Sequence, residues 1–134
     1  MKRSIFFTIT AILALIFGGL MLFAPAFTSE NFGLQATPVS SLLFRSIGGL
    51  VLSLGILNYL VRNEADSIAL KAVLIINIVS HTISMGNDFY GASQGILEFS
   101  KLAGGMVAHL FIVIGSAVYL FKMKSSNALL HQKK

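Results

Sequence analysis

Four long apolar stretches dominate the pattern along the chain, and no segment of any length alternates apolar with polar positions. The first is free of charge between Arg3 and Glu30, with an almost wholly apolar centre at 5–23. The second begins at Thr37-Pro38 and runs over 39–61, interrupted by one charge, Arg45. Proline suits the first helical turn because its missing N–H costs nothing there. The third covers 69–86, where Gly86-Asn87-Asp88 gives a stop signal,. The fourth, 102–121, carries no charge. A span needs about 20 apolar residues. The pattern therefore predicts an all-α, four-helix transmembrane bundle in one domain, with loops at 24–37, 62–71 and 86–101. The short middle loop makes spans two and three an antiparallel hairpin.

The N-terminus has some marks of a signal peptide: a basic Lys2-Arg3 start and small residues in Ala24-Pro25-Ala26. Its apolar run exceeds the roughly 7–15 residues of a signal core, and Pro25 falls inside the cut. A retained first span is expected.

Composition sharpens the picture. Only 11 % of the 134 residues are charged and the mean hydropathy is +0.82, whereas soluble domains carry roughly a quarter charged residues. A disordered chain and a nucleic-acid-binding domain are excluded, despite the pI near 9.8. The absence of cysteine removes disulfides, thiolate metal sites and cysteine nucleophiles,. Basic residues set the orientation. With both termini cytoplasmic, that side holds Lys2, Arg3, Arg62, Lys71, Lys122, Lys124, Lys133 and Lys134, against Arg45 and Lys101 on the other. Tyr59 and Tyr119 then sit at the interface, three residues before the basic residues that end their spans. The basic tail 125–134 is expected to extend from the last span toward anionic lipid.

The spans hold few polar side chains, and their heights coincide. At ~1.5 Å rise per residue, Arg45 lies ~10 Å below Pro38, His81 ~10 Å below Asp88, and His109 ~12 Å below Lys101. Asn77, His81, Ser84 and Asp88 share one face of span three,. Lipid cannot satisfy an amide or an imidazole, so that face should turn inward or toward water. Each residue also has an ordinary reading. Arg45 can snorkel to the headgroups, a helical histidine is commonly a packing residue, and the glycine pairs at 18–19, 48–49 and 104–105 can be helix seams. The shared height favours a common outer-leaflet pocket instead.

In such a pocket Arg45 would anchor an anion or carbonyl. His81 and His109 would add hydrogen bonds, Asp88 a counter-charge and Asn77 the floor. A metal held by His81, His109 and Asp88 is disfavoured by the nearby Arg45, and no catalytic motif is present. The expected ligand is an amphiphilic or anionic molecule, lipid or quinone-like. Its identity, and any cofactor, stay open. The bilayer is the expected partner, a homo-oligomer is possible, and nucleic acid is not a partner.

Several segments carry a family resemblance. Met21-Leu22-Phe23-Ala24-Pro25-Ala26-Phe27, Asn31-Phe32-Gly33-Leu34, Leu43-Phe44-Arg45-Ser46-Ile47-Gly48-Gly49, Gly55 and Arg62 resemble uncharacterised small four-helix bacterial inner-membrane proteins, distantly DoxX-like. The resemblance covers the whole chain in layout and is motif-specific over the first half. It implies the bacterial inner membrane and an association with quinone-linked redox complexes. Two alternatives to the ligand-binding reading follow. One is a quinone-associated redox component. The other is a structural or accessory subunit, in which Arg45 pairs with Asp88 or Glu98.

Overall fold

A computed structural model describes residues 1–123. They form five α-helices: α1 (Arg3–Phe23), α2 (Pro25–Asn31), α3 (Pro38–Val61), α4 (Ile68–Ser93) and α5 (Phe99–Lys122). All but α2 are long and apolar enough to cross a membrane. No strand occurs among the described residues. The expected tail at 125–134 lies outside them.

Local chemistry explains most boundaries. Pro25 has no N–H to continue α1 and disfavours a helical residue before it, so the chain breaks at Ala24 (φ −130°, ψ 56°) and restarts as α2. The short helix fills part of the expected loop 24–37. Thr37 and Ser40 form a reciprocal capping box before α3, and Ser67 accepts from Leu70 N–H to start α4,.

The stop expected at Gly86-Asn87-Asp88 does not occur. α4 runs seven residues further, because its end is set by Gly95, whose φ of +67° suits a residue without a side chain,. Ile96 N–H then donates to Gly91 O at 2.9 Å and Gly95 N–H to Ala92 O at 3.1 Å, a glycine-terminated helix end. Gly86 has only a helix-interior position to fill. α5 also starts early, at Phe99, so the expected loop 86–101 shrinks to the five residues 94–98.

The long helices form a ring in the order α1, α3, α4, α5, each antiparallel to its neighbours. On the α1–α3 side the backbones touch. A Cβ on Gly18 would lie 2.7 Å from Leu52 N and one on Gly48 2.6 Å from Leu22 N, while Gly55 backs onto Ala11 and Ala14. Where α1 begins and α5 finishes, Phe6, Phe7, Leu70, Val73 and Leu74 form a buried apolar cluster. Phe6 closes against Gly115, Phe111 and Tyr119. The same end is laced by polar contacts: Arg3 pairs with Asp66 and donates to Glu64 O at 2.6 Å, and Tyr119 O–H donates to Met1 O at 2.8 Å. Arg62 stacks 3.6 Å above the Tyr59 ring. Outer faces stay apolar, as Leu50, Val107 and Ile114 illustrate.

Candidate functional site

The polar face of α4 turns toward its neighbours. Asn77 is fully buried, and His81, Ser84 and Asp88 follow it along the same side. α5 presents His109 to that face. The imidazoles meet with Nδ1 atoms 2.7 Å apart and ring centroids 4.9 Å apart. Behind His109, its Nε2 faces Asp88 Oδ2 at 3.9 Å. Both histidines and Asp88 are partly buried.

This contact constrains the protons. Two ring nitrogens at hydrogen-bond distance need one N–H and one lone pair between them. Doubly protonating both rings would set two N–H groups against each other. With His109 Nε2–H directed at Asp88, His109 Nδ1 accepts from His81 Nδ1–H and His81 Nε2 keeps a lone pair. One added proton reverses the inner bond and makes His109 a cation beside the carboxylate. His81 Nε2 has no hydrogen-bond partner among the described residues. A contact of 2.7 Å also leaves no room for an ion between the rings. No cluster of three metal-ligating side chains occurs among the described residues.

Asn77 has a different neighbour from the expected pocket. It forms a reciprocal amide pair with Asn58 of α3: Asn77 Nδ2 donates to Asn58 Oδ1 at 2.8 Å, and Asn58 Nδ2 donates to Asn77 Oδ1 at 3.1 Å. Both residues are essentially inaccessible. Asn58 was not singled out by the sequence, although an asparagine inside a span is itself a signal, since hydrocarbon offers it nothing.

Arg45 does not join the histidines. It is exposed and makes no hydrogen bond or ion pair among the described residues. Helical geometry gives the reason. Thirteen residues separate it from Asn58, which faces α4, and at ~100° per residue that places Arg45 about 140° away around α3. The common height also dissolves. With α4 ending at Ser93 and α5 starting at Phe99, His81 lies ~18 Å and His109 ~15 Å from those ends, against ~10 Å for Arg45,. The histidines occupy the middle of their helices. Nor does Arg45 pair with Asp88 or Glu98: Asp88 faces His109, and Glu98 Oε1 lies 3.0 Å from Lys101 Nζ.

A separate groove of about 360 Å³ runs between α1 and α5, lined by Ile9, Leu13, Gly104, Val107, Ala108 and Phe111. Its lining is apolar, and it lies on the α1 side of α5, away from the face that carries His109. No known protein family matches the chain, nor does any curated protein or solved structure.

Proposed function

We propose that the protein is a small multi-pass protein of the bacterial inner membrane, both termini cytoplasmic, that binds the polar head of an amphiphilic molecule, lipid or quinone-like, at the His81–His109–Asp88 chain. The observation that carries this reading is the 2.7 Å contact between imidazoles from two helices, with Asp88 behind them. Ionisable groups inside spans are expensive and mark ligand or proton sites. His81 Nε2 offers a lone pair or an N–H according to the direction of the inner bond, so it can meet a hydroxyl or a carbonyl. The proposed orientation rests on basic residues: Lys2, Arg3, Arg62, Lys71 and Lys122 lie toward the end where α1 begins, and Lys101 at the other is paired with Glu98,.

Thermal melting of the purified chain against short-chain quinones and phospholipids tests the proposal. A ligand near 100 Kd should raise the melting temperature by at least about 5 °C, and His81→Phe should abolish the rise. No rise across the panel contradicts the reading.

The accessory-subunit reading draws support from exposed, unpaired Arg45, beside Gly49, where a Cβ would meet nothing within 4 Å. An acidic partner helix would fit that flank. Copurification of a partner lost in Arg45→Ala supports it, and recovery of the chain alone from its native membrane counts against it. The redox alternative draws on the DoxX-like resemblance and requires electrons from another protein.

A further inference from the structure

Two buried hydroxyls behave unlike the others in this molecule. Thr8, Thr28, Ser46, Ser53, Ser80 and Ser84 each donate to the carbonyl one turn earlier. Thr10 and Ser116 are buried as completely as any residue, yet their hydroxyls have no partner among the described residues. A buried hydroxyl left this way is costly, and bound water is the usual remedy.

Their positions extend the histidine chain. Ser116 follows His109 by seven residues, on the same side of α5 and ~10 Å nearer the end where α1 begins. Asn77 precedes His81 by four, again on one side and ~6 Å in the same direction, where it meets Asn58,. Thr10 lies one turn beyond Phe6, whose ring covers Gly115 next to Ser116. Each of the four long helices thus places one fully buried polar side chain in this half of the bundle. In the other half, Asp88 stands ~7 Å from the end of α4,. Beyond Thr10 and Ser116, the cluster of Phe6, Phe7, Leu70, Val73 and Leu74 closes the way to Tyr119 and the Arg3–Asp66 pair.

We infer that these groups form a gated proton path: Asp88, His109 and His81 lead to water held by Asn77, Asn58, Ser116 and Thr10, and the Phe6 cluster is the gate. A proton from the water is taken up at His81 Nε2, and the His81 Nδ1 proton crosses to His109 Nδ1. His109 then releases its Nε2 proton to the Asp88 carboxylate. One proton enters, one leaves, and return of both rings to their starting tautomers completes the cycle. An apolar constriction of this kind blocks conduction by excluding water until it is widened. The path goes beyond ligand binding and does not require it.

The test uses the full chain in phosphatidylcholine–phosphatidylglycerol vesicles, with a potassium diffusion potential and a pH-sensitive dye. Phe6→Ala should raise proton flux about tenfold over the unaltered chain, with no matching rise in potassium leak. Adding Thr10→Val and Ser116→Ala to Phe6→Ala should return flux to that of empty vesicles. Melting curves confirm folding, and Leu74→Ala replaces Phe6→Ala if the latter does not fold. Flux unchanged by widening the gate, or unaffected by removing the two hydroxyls, overturns the proposal. Thr10→Val/Ser116→Ala should keep the ligand-induced rise in melting temperature, so the path and the ligand site fail separately.

Discussion

The α1–α3 pair and the α4–α5 pair solve the same problem by different physics. Hydrocarbon gives two helices no hydrophobic reason to associate, so close packing and hydrogen bonds must hold them. α1 and α3 use the first, with Gly18 set against Gly48 and the main chains in contact. α4 and α5 use the second, through an imidazole–imidazole contact backed by a carboxylate. A seam of glycine and alanine has nothing to titrate or exchange. The polar seam costs more to build and is the one with chemistry to offer. Substitutions should separate the two.

The largest effect is expected at the glycine seam. Gly48→Ala puts a methyl 2.6 Å from Leu22 N, a backbone atom that cannot step aside. Overpacking of this sort costs about 1–3 kcal/mol, and melting in detergent should show the upper part of that range. Gly49→Ala, one position along, meets nothing within 4 Å and should be neutral or gain up to about 1 kcal/mol from helix propensity. Equal losses at both positions would remove the distinction between the seam and its surroundings.

Next comes the amide pair that ties α3 to α4. Asn77→Leu takes from the buried Asn58 Oδ1 its donor, leaving Asn58 Nδ2 its bond to Leu54 O, and should cost about 1–3 kcal/mol,. Asn58→Leu together with Asn77→Leu should recover much of that loss. A double variant as damaged as the two single ones added together would mean that the amides do not interact.

A smaller coupling is expected across the histidines. Interhelical hydrogen bonds in membranes average about 0.6 kcal/mol, with a ceiling near 1.7, and a cycle of His81→Phe and His109→Phe should fall in that range. Arg45→Ala should change stability least, by no more than about 0.5 kcal/mol, since Arg45 has no partner among the described residues. A large loss there would show that α3 is anchored through Arg45 after all.

Much of this contrast was legible in the residues. The four spans follow from hydropathy, and the face of Asn77, His81, Ser84 and Asp88 follows from helical spacing. Three features escaped for identifiable reasons. A single glycine does not announce whether it ends a helix: Gly86-Asn87-Asp88 reads as a stop, Gly95 supplies the real one, and His81 therefore lies deeper than that stop implies. Height along a span says nothing of direction around it. Arg45 shares the histidines' height only if α4 stops at Gly86, and it faces away from them in either case. Thr10 and Ser116 look like ordinary small residues in a helix, and only their burial without a partner distinguishes them.

The most direct check is magnetic resonance of the chain labelled with ¹⁵N at histidine. A shared proton between His81 and His109 predicts one protonated and one unprotonated Nδ1, joined by a coupling through the hydrogen bond that disappears in His81→Phe. Two rings with independent tautomers and no coupling would show that α4 and α5 do not meet through their imidazoles, and the site would be lost with that contact.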